Sequence, residues 1–195
     1  MRHSRDIYRQ VAELHVTCLD RSFLATLGTG FLSLMYEAID ASGDTLLLLQ
    51  ERQGQVVGFV SGGSGMGGIY KAMLRSPFRL GRALLPALIN PRKLTRIFEI
   101  LRYSQKGPPP AGKSLPSAEL LSIAVSPAWR GQSIAEALYR DLSDALRARG
   151  IAEFRIVVGA ALLPAHRFYL RMGAVPVGVI EVHDGESSTV YVQGT

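Results

Sequence analysis

A single cysteine, Cys18, in 195 residues leaves no internal disulfide framework and no multi-cysteine metal site. Histidine is nearly as sparse. His3, His15, His166 and His183 are scattered, with no pair at metal-binding helical spacing, so no structural metal is expected. No segment approaches the roughly 20 consecutive apolar residues that cross a bilayer. The opening Met-Arg-His-Ser-Arg-Asp has no apolar run that could serve as a secretion signal. The expectation is a soluble, cytoplasmic protein. One long block also lacks acid: Ser64 to Gly107 holds nine basic residues and one carboxylate, Glu99, for +8 against +6 in the whole chain. The remainder is therefore slightly acidic, and the basicity belongs to one block.

Hydrophobic residues at 47% and charged residues at 19% describe an ordered domain. The length suits one domain, 1–195, with a basic helical insertion at 64–114. Asp6 reads as an N-cap for a helix to about Thr17, and Phe31, Leu34, Met35 and Ala38 recur at helical spacing in Gly30–Ile39. Ser42-Gly43-Asp44 breaks that helix, and Thr45–Gln50 and Gln55–Val60 form a hairpin around Arg52-Gln-Gly54. Within the basic block, Ile69–Leu74 and Phe78–Ile89 look helical, with Pro86 kinking or dividing the second. Asn90-Pro91 opens a third helix, and Gly107–Gly112 with its three prolines is a stiff connector. A strand before Val125, a helix from Gln132 to about Arg149, a strand Phe154–Val158 and a helix Pro164–Met172 follow. Val175–Val182 and Thr189–Val192 close the chain as a hairpin around Asp184-Gly185. The order implies an α/β (α+β) sandwich on a mixed sheet with one parallel crossover.

The stretch Glu119 to Arg140 carries the chemistry. A buried strand, a Pro-bearing turn of small and polar residues, and an amphipathic helix direct free backbone N–H groups and the positive helix end at one point. A phosphate is the natural occupant. Arg130 supplies charge there, and Gly131 lets an anion approach the backbone.

Arg130-Gly-Gln-Ser133-Ile-Ala135 resembles the acyl-CoA signature of the GNAT N-acetyltransferase superfamily, Gln/Arg-x-x-Gly-x-Gly/Ala, with serine at the middle glycine. Ala165-His-Arg-Phe168-Tyr169-Leu-Arg-Met-Gly173 is similar to the family's later Ala-x-x-Phe-Tyr-x-x-x-Gly helix. Leu162 stands where the family often has asparagine. The likeness is weak over Asp6–Val60 and good over Leu115–Val192. It implies a mixed, mostly antiparallel sheet of the acyl-CoA N-acyltransferase type flanked by helices, with the helical insertion between the third and fourth strands. It also implies acetyl-CoA as cosubstrate, no metal, and direct transfer to a primary amine in a ternary complex.

By that resemblance, the backbone of Ile123, Ala124 and Val125 meets the pantetheine arm where the next parallel strand splays away. Arg130, Gly131, Gln132, Ser133, Ile134 and Ala135 hold the pyrophosphate. Tyr169 protonates the departing thiolate, and Glu119, placed by the period of two on the face of Leu121, Ile123 and Val125, takes the proton of the amine. Each has a structural alternative. The strand residues pack the core, Ser133 caps a helix, Tyr169 is a half-buried aromatic and Glu119 a solvated strand end. His15, Asp20, Glu37 and His183 are rival bases that read as ordinary surface residues, and nothing marks Cys18 as an acyl carrier.

Two motif matches fail on context. Gly107-Pro-Pro-Pro-Ala-Gly112-Lys113-Ser114 fits the P-loop letter for letter, but its prolines remove donors and no buried strand precedes it. Gly63-Ser-Gly65-Met-Gly-Gly68 fits the dinucleotide fingerprint but has no acid about 20 residues on, and reads better as a mobile glycine loop beside the acceptor cleft. The acceptor stays open among amino sugars, small amines, antibiotics and protein N-termini; the basic block suits a small-molecule amine that is anionic, such as a nucleotide-linked or phosphorylated amino sugar. The alternatives are a catalytically silent acyl-CoA-binding module and a basic insertion that docks on an anionic membrane surface. Nucleic-acid binding has no recognisable module behind it, and a homodimer is open.

Overall fold

A computed structural model describes residues 3–20, 22–64, 66–88, 115–183 and 186–195. The elements run α1 (Arg5–Cys18), α2 (Gly28–Ala41), β1 (Thr45–Arg52), β2 (Gln55–Ser64), α3 (Met66–Leu74) and α4 (Pro77–Leu88). Then come β3 (Ala118–Val125), α5 (Ile134–Ala148), β4 (Glu153–Gly159), α6 (Leu163–Arg171), β5 (Val175–His183) and β6 (Glu186–Gly194). The expected helix at Asn90, the proline connector, the P-loop look-alike and the Asp184-Gly185 turn lie outside the described residues. Segment 64–114 enters between the second and third strands of this sheet, one strand earlier than expected, and α4 continues past Pro86.

Six strands form one sheet in the order β1-β2-β3-β4-β6-β5. Every neighbouring pair is antiparallel except β3–β4. The β1–β2 turn is Gln53-Gly54, both residues at positive φ (52° and 75°), the twist that a two-residue hairpin requires. α1 begins two residues earlier than Asp6 suggested: Ser4 is the N-cap and accepts the Ile7 N–H at 3.4 Å. Asp6 instead sits in the first turn, holding Arg9 and Gln10.

The sheet separates two cores. One lies under α1 and α2 around Tyr36, Leu32, Ile39 and Phe59. The other lies under α5 around Leu138, Leu142, Phe154 and Ile156. α5 comes close because β2 presents glycine to it. A Cβ on Gly58 would meet Ile134 Cγ2 at 3.0 Å and Leu138 Cδ1 at 3.1 Å, and one on Gly62 would meet Leu142 at 3.0 Å. On the other face α4 is tied to α2 by a two-pronged ion pair, Arg79 to Glu37 at 2.6 and 3.2 Å.

Two β-bulges change which side chains face which core. Val57 is an extra residue in β2 against β1, between Gln50↔Gly58 and Glu51↔Val56. Leu121 is an extra residue in β3 against β2, between Ser61↔Ser122 and Gly62↔Leu120. Beyond the second bulge the alternation is inverted: Leu121 and Ala124 belong to the α1–α2 core, Ile123 and Val125 to the α5 core. Glu119 therefore shares a face with Leu121 but not with Ile123 and Val125. The period of two fails at one inserted residue.

Because the neighbours of Gly58 leave no slack, Gly58→Val is expected to destabilise the domain by about 2 kcal/mol through overpacking under α5. The urea unfolding midpoint measures it; an unchanged midpoint would show that α5 can lift freely from β2.

Candidate active site

β3 and β4 pair in parallel at Glu119↔Arg155 and Leu120↔Ile156, and their register ends there. Both strands run on, to Val125 and Gly159, so their C-terminal halves diverge. Ser126 donates its N–H to Val57 O at 2.8 Å, which fixes the alternation of β3 against β2. It follows that the backbone groups of Ala124 face Phe59, while those of Ile123 and Val125 face the gap left by β4. Ala124, expected to offer its backbone to the arm, is committed to the sheet instead. Polar groups on a diverging strand need partners, and a ligand that lies along the strand supplies them.

The mouth of the gap is the turn before α5. Its helix starts at Ile134, two residues after Gln132, because Gly131 (φ +76°) and Ser133 (φ +56°) both take left-handed backbone. Ser133 occupies the N-cap position, yet its side chain makes no capping hydrogen bond. The first chain partner in the helix is the bond from Ala137 N–H to Ser133 O. The N–H groups of Gly131, Gln132, Ser133, Ile134 and Ala135 have no acceptor among the described residues. Five donors at the positive end of a 15-residue helix form an anion site, and the exposed Arg130, Gly131, Gln132 and Ser133 leave it open to solvent. Arg130 bends back, Nε donating to Val125 O at 3.3 Å. The same carbonyl accepts from Cys18 Sγ at 3.5 Å, so Cys18 sits beside the strand end despite its distance in sequence.

Glu119 and Tyr169 stand apart in chemistry. Arg155 Nε and Nη2 both reach Glu119 Oε2, at 2.9 and 2.8 Å, and Arg155 Nη1 donates to Pro116 O at 3.3 Å. Oε1 carries no hydrogen bond among the described residues. Tyr169 is buried among Tyr139, Phe168 and Tyr191, with ring centroids at 6.0, 5.2 and 6.3 Å. Burial pushes its phenol well above the usual tyrosine range, so it stays protonated. Its hydroxyl has no partner among the described residues, and no buried polar side-chain atom there lacks one, so that oxygen reaches solvent. His166 ties the end of β4 to this cluster, with Tyr191 Oη at 2.7 Å on Nδ1 and Gly159 O at 3.1 Å on Nε2.

His15 is the largest departure from the sequence reading. Expected at the surface, it is 2% exposed. Nδ1 lies 2.6 Å from Tyr36 Oη and Nε2 3.1 Å from Ser22 Oγ. Tyr36 Oη continues to Ser122 Oγ at 3.0 Å, and Ser122 to Ser61 Oγ at 2.8 Å. The chain of polar groups ends on the β3 bulge. Only the helical spacing of Tyr8, Val11, Leu14 and His15 on the inner face of α1 could have signalled it. Asp20 is exposed, Glu37 is held by Arg79, and His183 lies in β5. Of the glycine run at 63–68, the described residues lie in elements: Ser64 ends β2, Met66 to Gly68 open α3, and Gly63 lies in β2 at φ +137°, where a Cβ would collide with Asp44 O and Thr45 Cα. Among the described residues no group of three or more His, Cys, Asp or Glu gathers for a metal, and no helix is long and apolar enough to cross a membrane.

Two outcomes follow. Burial lowers His15 from 6.5 to about 4, so between those pH values the unfolded chain binds a proton that the folded chain excludes. Stability is full above about pH 6.5 and falls by about 3 kcal/mol toward pH 4. Urea unfolding at pH 7 and pH 4.5 reads it, and His15→Gln should flatten the difference. Ser133→Gly relieves left-handed strain of about 1 kcal/mol and should raise Tm by roughly 2–4 °C. A fall in Tm would mean that the serine side chain supports the turn.

Solved structures share the fold. An N-acetyltransferase from Staphylococcus aureus Mu50 superposes with a TM-score of 0.62 at 12% identity, covering 100% of this chain and 96% of that one. The ribosomal-protein-S18-alanine N-acetyltransferase from Escherichia coli gives 0.54 at 14%, covering 100% and 91%. The PaiA N-acetyltransferase from Thermoplasma acidophilum, solved in complex with coenzyme A, gives 0.57 at 12%, covering 97% and 95%. No curated protein matches the chain by sequence. The family model "Acetyltransferase (GNAT) family" matches residues 10–174, which span both the diverging strands and the α5 turn. The chain belongs to the GNAT family of acetyltransferases.

Proposed function

We propose that this protein transfers the acetyl group of acetyl-CoA to a primary amine by direct attack in a ternary complex. The observation that carries the reading is the meeting of two features at one place. The backbone edge of Ile123 and Val125 is released by β4, and it leads to the five N–H groups before and within the first turn of α5 that have no acceptor among the described residues. An acyl-CoA has a matching shape, with amide-bearing arm and pyrophosphate in series. Ile123 and Val125 would hold the arm, and Arg130, Gly131, Gln132, Ser133, Ile134 and Ala135 the pyrophosphate. Ala124 would contribute packing from its place in the sheet.

Tyr169 is proposed as the acid that protonates the leaving thiolate, since a buried phenol with a solvent-touching hydroxyl keeps its proton until a strong base appears. Glu119 is proposed as the group that takes the amine proton, through Oε1, while Arg155 fixes the carboxylate by Oε2. The two bonds from Arg155 to Oε2 hold the carboxylate still. The acceptor is proposed to be a small amine, including anionic amino sugars drawn by the basic insertion at 64–114 of this single domain. We place the reaction in the cytoplasm, where a lone free thiol such as Cys18 persists reduced.

Calorimetric titration tests the cosubstrate. Acetyl-CoA and CoA should both bind, and failure of both would end the proposal. CoA release with glucosamine 6-phosphate, a UDP-linked amino sugar, spermidine, an aminoglycoside and a peptide with a free N-terminal alanine tests the chemistry. With any acceptor found, Tyr169→Phe should lower kcat by about 10²-fold or more with CoA affinity kept. Binding without turnover of any amine would mark a silent acyl-CoA module instead.

A further inference from the structure

The buried chain from His15 to Ser122 has a direction. The 2.6 Å separation of Tyr36 Oη and His15 Nδ1 suits an O–H donor better than an N–H donor, and the phenol is the stronger acid of the two. Tyr36 therefore donates to Nδ1, which leaves the proton of neutral His15 on Nε2, facing Ser22 Oγ. With its proton given to His15, Tyr36 Oη accepts from Ser122 Oγ–H at 3.0 Å. Ser61 is fully buried, and its hydroxyl has Ser122 Oγ as its partner at 2.8 Å, so it donates there. Ser122 Oγ then donates once and accepts once, with one lone pair left over.

Ser122 differs from Ser61, Tyr36 and His15 in being only partly buried. It is a residue of the β3 bulge, adjacent to Ile123, whose backbone faces the gap between β3 and β4. No charged side chain contributes to the shift of His15. Its ring meets Tyr36 from α2 and Phe59 from β2 at 5.9 and 6.3 Å. The network thus arrives at the site with a fixed polarity and a single open position, an acceptor.

We propose that Ser122 Oγ accepts a hydrogen bond from the N–H of the acceptor amine, and that Tyr36 and His15 are positioning residues that hold its lone pair in that direction. The proposal rests on the acetyl-transfer reading above. It adds a substrate requirement: the group nearest the bulge must be a hydrogen-bond donor. A neutral hydroxyl could satisfy it, but a carbonyl, carboxylate or phosphate oxygen would meet lone pair against lone pair.

Wild-type protein labelled with ¹⁵N-histidine tests the polarity at neutral pH without any ligand. The expected spectrum shows His15 protonated on Nε2 and bare on Nδ1. A proton on Nδ1 would reverse the chain, make Ser122 a donor and overturn the proposal. Steady-state kinetics, with acetyl-CoA and whichever amine of the above panel gives the fastest CoA release, test the role. Ser122→Ala should raise KM for that amine about tenfold, and Tyr36→Phe should raise it less, with the Kd for CoA within about twofold of wild type in both. An amine KM that stays within about twofold of wild type in Ser122→Ala sinks the assignment. If either variant loses its fold, the wild-type tautomer still decides. Should wild type bind CoA yet acetylate no amine, the acetyl-transfer reading falls, and this one with it.

Discussion

The end of the β3–β4 pairing is the constraint around which this protein is arranged. A parallel pair normally continues as long as both strands do, since each broken rung leaves buried polar groups without partners. Here the register stops after Leu120↔Ile156 although both strands go on. The bulge at Leu121 accompanies the break: one extra residue bends β3 and raises its local twist, which carries its C-terminal half away from β4. β2 follows β3 through the bend because Ser61↔Ser122 and Gly58↔Val125 keep the antiparallel ladder intact. The side of β3 that β4 releases is therefore a stiff edge, and stiffness is what a backbone binding site requires.

The same bend brings the helix into line. α5 leaves β3 through Pro127–Trp129 and two left-handed residues, and must lie close on β2 for its N-terminus to meet the gap. Glycines at 58 and 62 permit that approach, and Ile134 and Leu138 fill it. Arg149 fastens the far end of the helix to Gly43 O at 3.0 Å. A helix held at both ends keeps its donors at a fixed height above the strand edge. This places the N–H donors at the start of α5 under the control of core packing more than of loop sequence.

Much of this was legible in the sequence, and the failures share one cause. Element order, the hairpins, the α5 turn at Arg130–Ala135 and the aromatic helix carrying Tyr169 all follow from local pattern, where periodicity and turn residues act over a few positions. The misreadings concern long-range relations. An inserted residue cannot be seen in a strand read alone, so Glu119 was set on the face of Ile123 and Val125. Ala124 was offered to a ligand because strand polarity depends on the partner β2. His15 looked like a surface residue because its partners lie 21 positions away at Tyr36 and, through it, at Ser122 in another strand. Cys18 and Val125, 107 positions apart, make the same point.

Burying an imidazole, a phenol and the Ser61 hydroxyl together would be wasteful in a core built for stability alone, since apolar residues of the same shape serve as well or better. Such a network is tolerable only if fully satisfied, and no buried polar side-chain atom among the described residues is left without a partner. Satisfaction, however, imposes direction: once Tyr36 commits its proton to His15, the hydroxyls that follow lose their freedom to rotate. Beside the strand edge that β4 releases, that fixed polarity would be a side-chain device for telling a donor from an acceptor. The bulge presents both devices together, the released edge at Ile123 and the oriented hydroxyl at Ser122. A single inserted residue thus couples the place proposed for the acyl arm to the place proposed for the amine.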